Sequence, residues 1–163
     1  MFSTCTQWGS SLELSLGGGL VASESVRILI VDDFEPWRQF LCSFVQQNPA
    51  WQIISEASDG LEAIEKSREL QPDLIVLDIG LPKLNGIEAA QRIQKIAPNA
   101  RILFFSEDCC VDVVREAFRV GGRGYVVKSD ANGDLRAALE AVTANKQFVG
   151  SRFMDQDLSE DSE

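Results

Sequence analysis

The sequence predicts an α/β fold, a doubly wound five-stranded parallel sheet in a three-layer α/β/α sandwich. Three observations carry this. Short, nearly continuous apolar runs recur five times between residues 26 and 127. Each is followed by a stretch with helical spacing of its apolar residues. Strands without an alternating polar face are buried on both sides, which favours parallel pairing with helices on both faces.

The elements follow in order. Val26–Val31 is the first buried strand. Glu35–Gln47 has helical spacing, with Trp37, Phe40, Leu41, Phe44 and Val45 on one side and Pro36 in the first turn, where a missing N–H does no harm. Trp51–Ala57 is a second strand. Ser58 or Asp59 can cap a helix that runs to about Leu70, ahead of Pro72. Asp73–Leu77 is a third strand, and Leu84–Ile96 a helix ended by Pro98. Arg101–Phe105 is a fourth strand. Roughly Cys109–Val120 is a helix stopped by Gly121 and Gly122. Gly124–Val127 is a short fifth strand, and Asp130–Asn145 a last helix with Leu135, Ala138, Leu139 and Val142 as its apolar stripe. Residues 26–150 therefore form one domain, between a Ser- and Gly-rich flexible extension (1–25) and an acidic tail (151–163).

Composition narrows the chemistry. The 163-residue chain carries a formal charge of -10, of which residues 151–163 contribute -4. No broad basic field exists to gather nucleic acid or an anionic membrane, and no apolar run reaches the roughly 20 residues of a membrane helix. Histidine is absent, so metal sites should use oxygen ligands, which suits Mg²⁺, Ca²⁺ or Mn²⁺. Cys5, Cys42, Cys109 and Cys110 form no C-x-x-C pair; the expectation is reduced thiols in a cytoplasmic protein.

The strand C-termini carry the chemistry. The first strand ends on Asp32 and Asp33, the third on Asp78, the fourth on Ser106 and the fifth on Lys128. Polar strand ends that merely meet solvent explain any one of these, but poorly explain complementary chemistry at all of them on one rim. Three neighbouring carboxylates repel and raise one another's pKa unless a cation sits among them. Mg²⁺ suits that role, and a carboxylate beside it can attack phosphorus to form an aspartyl-phosphate. An ammonium and a hydroxyl nearby can stabilise the transferred group.

On these residues, 26–150 resembles a response-regulator receiver domain of two-component signalling, of the NarL type and without a following helix-turn-helix domain. The acidic pair Asp32–Asp33, the "DIGLP" stretch with Asp78 and Pro82, Ser106, and Lys128 preceded by Tyr125 appear in the family's order. Ser106 lies 28 residues and Lys128 50 residues after Asp78. The resemblance implies a flavodoxin-like fold of the receiver type. It implies Asp78 as phosphoacceptor, Asp33 as a direct Mg²⁺ ligand, Asp32 acting through metal-bound water, and the Gly80 carbonyl as a further ligand. Lys128 would pair with Asp78 and then with a phosphoryl oxygen, while Ser106 moves toward that group and Tyr125 swings inward. A half-buried strand aromatic would equally account for Tyr125. The implied partners are a histidine kinase or phosphotransfer protein, and a second copy or a target meeting the fourth helix, fifth strand and fifth helix. Cys109, Val113, Val114 and Phe118 are candidates for that face, although Val114 and Phe118 could equally be core.

Glu107 and Asp108 depart from the family pattern, which usually has a small residue after the Ser or Thr. They are expected to modulate the site by repelling an incoming donor; alternatively Glu107 points to solvent with little effect, or Asp108 simply caps the next helix. Because the segment after the last helix is short and acidic, the reading divides between a stand-alone receiver and the receiver part of a truncated NarL-type transcription regulator. An aspartyl-nucleophile phosphatase would need D-x-D on the first strand, where "DDF" stands. A flavodoxin-like cofactor binder would need a Ser-, Thr- and Gly-rich phosphate loop in place of "DDFEPW".

Overall fold

The computed structural model describes residues 25–158. The extension expected over residues 1–25 lies outside the described residues apart from Ser25, as does the end of the acidic tail, residues 159–163.

Strands β1 (Val26–Val31), β2 (Trp51–Ala57), β3 (Leu74–Leu77), β4 (Arg101–Ser106), β5 (Gly124–Val127) and β6 (Phe148–Val149) alternate with helices α1 (Glu35–Gln46), α2 (Gly60–Leu70), α3 (Gly86–Ile96), α4 (Val111–Arg119) and α5 (Ala131–Thr143). Single 3₁₀ turns occupy Lys128–Asp130 and Ser151–Phe153. All strand pairs are parallel, in the order β2-β1-β3-β4-β5-β6. The order reverses between β1 and β3, and folds of this class bind ligands outside the strand ends at such a point.

The five expected strands form the core of the sheet, and among the described residues a sixth, two-residue strand is added at its edge. Phe148 pairs with Gly124 and Val149 with Tyr125, extending the sheet beyond β5. A two-residue strand carries no periodicity, so only the tertiary pairing reveals it.

Alternate residues of each strand feed opposite cores. Leu29, Val31, Ile75, Leu77, Ile102 and Phe104 pack with α2, α3 and α4, and Val114 of α4 is fully buried here, in the core and not on an outer face. Ile28, Ile30, Leu74, Val76, Leu103 and Phe105 pack with α1 and α5. Each fully buried side chain of this kind contributes about 1.5–3 kcal/mol. That double burial explains the unbroken apolar runs.

Helix starts follow side-chain capping. The Asp59 carboxylate accepts from Glu62 N–H at 2.8 Å, and Glu62 returns to Ser58 N–H at 2.9 Å. α3 starts at Gly86 rather than the expected Leu84, because the Asn85 side chain accepts from Glu88 N–H at 3.0 Å. α4 starts at Val111; Asp108 holds the Cys110 N–H at 2.9 Å in the loop just ahead of it instead of capping the helix.

Cys42, 2 % exposed, is disulfide-bonded, which overturns the expectation of reduced thiols there; Cys109 and Cys110 are free and exposed. A disulfide at Cys42 cannot be read from the spacing of the cysteines. Among the described residues no helix is long and apolar enough to cross a membrane.

Candidate functional site

The carboxyl edge of the sheet brings Asp32, Asp33, Asp78, Ser106 and Lys128 together. A pocket of about 670 Å³ opens there, walled by Asp33, Phe34, Asp78, Ile79, Gly80, Ser106, Glu107, Asp108 and Lys128. Asp32 is fully buried beneath it, Asp78 and Lys128 are 6 % and 5 % exposed, and Asp33 reaches solvent. The Lys128 Nζ lies 2.7 Å from Asp32 Oδ2 and 3.3 Å from Asp78 Oδ2. It donates an aligned hydrogen bond to Asp78 only, and Asp32 Oδ2 meets it as an ion pair without one.

Local structure holds each group. Asp32 Oδ1 accepts from Phe34 N–H at 2.9 Å, closing the turn after β1. The Asp32 carbonyl accepts from Arg38 at 2.7 Å, and Arg38 is fixed by Glu56 at 3.1 Å. Asp78 continues β3, its N–H donating to the Val31 carbonyl at 3.0 Å. Gly86 lies under this turn: a Cβ there would stand 2.1 Å from the Asp78 carbonyl oxygen. Gly80 faces open space, so packing does not require a glycine there.

Trp37 and Phe105 are contributors that sequence reasoning assigned only to the core. Their rings meet edge-on with centroids 5.3 Å apart, and Lys128 Nζ lies 5.4 Å and 5.8 Å from their centroids. The aromatic faces attract the ammonium and limit where it can go. The available signal was a bulky aromatic four residues past Asp33 on the inward side of the next helix.

Burial is the main cause that pushes both buried carboxyls above the usual aspartate range. Lys128 opposes it at both, and the neighbouring carboxylates add to it. A single ammonium among three carboxylates leaves the site short of positive charge. Carboxylate oxygens of Asp32, Asp33 and Asp78 lie within 4.8 Å of one another. This oxygen-only set, whose negative charge Lys128 only partly offsets, fits a small hard divalent cation such as Mg²⁺.

Ser106, Glu107 and Asp108 form the adjoining wall, with Tyr125 buried behind it. Ser106 is buried, and its Oγ accepts from Asp108 N–H at 3.1 Å. Tyr125 is fully buried, donating its phenol to the Asp108 carbonyl at 2.8 Å; burial pushes the phenol well above its ordinary value. Glu107 is exposed on the pocket wall.

The family model described as the response regulator receiver domain matches residues 28–140. The chemotaxis protein CheY of Thermotoga maritima is 39 % identical over 117 residues, covering 72 % of this chain and 97 % of that protein. The nitrate/nitrite response regulator protein NarL of Escherichia coli K12 is 32 % identical over 126 residues, covering 77 % of this chain and 58 % of NarL. The chain thus spans nearly all of the first relative and little more than half of the second. Among solved structures, a LuxR-family two-component response regulator from Aurantimonas sp. SI85-9A1 superposes with a TM-score of 0.74 at 33 % identity, covering 83 % of this chain and 93 % of that one.

Proposed function

The chain belongs to the response regulator receiver family, and from that premise we propose that it takes a phosphoryl group onto Asp78 from a partner histidine kinase or phosphotransfer protein, in a Mg²⁺-dependent reaction. The observation that carries this reading is the meeting of Lys128 with both Asp32 and Asp78 under an open pocket.

In this reaction a carboxylate oxygen of Asp78 attacks the donor's phosphorus. The bond from phosphorus to the donor breaks, and its electron pair leaves with the donor. The product is an acyl phosphate on Asp78. Lys128, held between the carboxylates and the Trp37 and Phe105 rings, shifts its pairing from Asp78 to a phosphoryl oxygen. The Ser106 hydroxyl donates to another. Asp33 and Asp32 with Asp78 would hold Mg²⁺, joined by the Gly80 carbonyl. When bound, the ion offsets charge on the phosphoryl oxygens. Tyr125 and the loop of Glu107 and Asp108 respond to the modification, and the output is a changed surface around α4, β5 and α5, offered to a target or a second copy. Its place would be the cytoplasm, where a kinase partner would present its phosphoryl group, and the acidic charge argues against direct nucleic-acid binding by this chain.

The test is intact mass after treatment with a small phosphodonor. One added phosphoryl group is expected with Mg²⁺, and none with a chelator or in Asp78→Asn. Labelling that persists in Asp78→Asn would refute the assignment. Sustained phosphate release from unrelated phosphoesters would indicate a phosphatase instead.

A further inference from the structure

The chain after β6 does not leave the domain. Gly150 is buried beside β5 and α5. Ser151 donates from its N–H and its hydroxyl to Asp134 on α5, at 3.0 and 3.3 Å. Arg152 forms a two-pronged pair with Asp130, at 2.7 and 3.0 Å, in the turn that begins with Lys128. Phe153, 3 % exposed, sets its ring edge-on to Tyr125 with centroids 6.0 Å apart. Arg115 of α4 reaches across to the Asp157 carbonyl at 2.6 Å. Residues 150–157 are thus fastened to α4, β5 and α5 together.

We propose that residues 150–157 are an internal ligand of the α4–β5–α5 face, and that phosphorylation of Asp78 releases them. The occupant is this chain's own segment. A second copy or a target can reach the Tyr125 edge only after Phe153 leaves it. The connection to the pocket is short. Phe153 packs on Tyr125, the Tyr125 phenol donates to the Asp108 carbonyl, and the Asp108 N–H donates to the Ser106 hydroxyl on the pocket wall. A phosphoryl group on Asp78 recruits that hydroxyl as a donor and draws Asp108 with it. The buried phenol then loses its acceptor, which is costly for a buried donor. Tyr125 must reorient, and Phe153 loses its seat.

The inference rests on the phosphoacceptor reading, and the experiment separates the two. Full-length protein is given Mg²⁺ and beryllofluoride, a phosphoryl mimic. Bound fluoride is read by ¹⁹F NMR, and amide exchange is followed at residues 151–157. Exchange there should quicken about fivefold or more, the lower end of ordinary coupling between sites. Coupling is reciprocal, so Phe153→Ala should tighten beryllofluoride binding by the same factor. Arg152→Gln, which leaves no cavity, should tighten it in the same direction. Bound beryllofluoride with unchanged or slowed exchange overturns the release. Unchanged affinity in both variants does so as well. Absence of bound fluoride would overturn the phosphoacceptor reading and this inference together.

Discussion

Replacing Lys128 with methionine keeps the length of the buried stem and removes the charge, which makes it a direct probe of the site's electrostatics. Two carboxylates lose their ammonium, Asp32 at 2.7 Å and Asp78 at 3.3 Å. Removing one partner of a buried ion pair costs about 3–5 kcal/mol. A second route gives the same size. The variant can escape by protonating a carboxyl, which at pH 7 costs about 4 kcal/mol for a group with an ordinary value near 3.9. Metal-free Lys128→Met should therefore be about 4 kcal/mol less stable than wild type at pH 7, yet still folded if the domain has ordinary stability of about 5–15 kcal/mol. Lys128 lowers both carboxyls, so its removal raises them further. The variant then takes up its proton at higher pH than wild type does, so the deficit should shrink as pH falls, by at most about 1.4 kcal/mol per pH unit. Urea unfolding in chelator at pH 7, 6 and 5 measures it, and Mg²⁺ at pH 7 should restore part of the loss. A deficit that stays constant with pH would refute the electrostatic reasoning and leave only packing of the Lys128 stem.

Three further outcomes are expected. Asp32→Asn should stabilise the metal-free protein by about 1 kcal/mol at pH 7 while weakening Mg²⁺ binding, because site charges are often held at a cost in stability. A carboxyl raised by folding favours the native state fully below its unfolded value and loses that contribution as pH rises through the folded value. The advantage of Asp32→Asn should thus vanish near pH 4, where Asp59, Glu62 and Asp130, all lowered by folding, begin to lose theirs; urea unfolding at both pH values reads this. Gly86→Ala should cost about 3 kcal/mol and slow phosphorylation, because its Cβ would meet the Asp78 carbonyl at 2.1 Å; unfolding and labelling rates check it. Glu107→Ala should speed labelling by an anionic phosphodonor roughly twofold at low salt, the size of one exposed charge acting through water, and the gain should fade at high salt. Equal rates at low salt would show that Glu107 does not repel the donor.

The fold and the polar residues gathered at its rim were legible because both are written in abrupt changes of chemistry. Four strands buried on both faces stop on Asp32, Asp78, Ser106 and Lys128, so a polar residue after an apolar run marks the rim. What escaped depended on contacts between distant residues. β6 is two residues long, and the Cys42 disulfide has no signature in cysteine spacing. Trp37 obeyed the helical stripe of α1, and only the closure of α1 over β4 shows its ring beside Lys128. The start of α3 moved to Gly86 because the Asn85 side chain caps it, a choice that periodicity alone does not make. The acidic composition after residue 150 hid Phe153, whose burial depends on Tyr125 and on the arginine pairs beside it.

The central claim is that Asp78, and neither member of the acidic pair, takes the phosphoryl group. Borohydride reduces an acyl phosphate on aspartate to homoserine, which peptide mass mapping can locate. After treatment with a small phosphodonor and Mg²⁺, homoserine is expected at position 78 alone. Homoserine at position 32 or 33, or its absence from a chain that has gained phosphoryl mass, would contradict it.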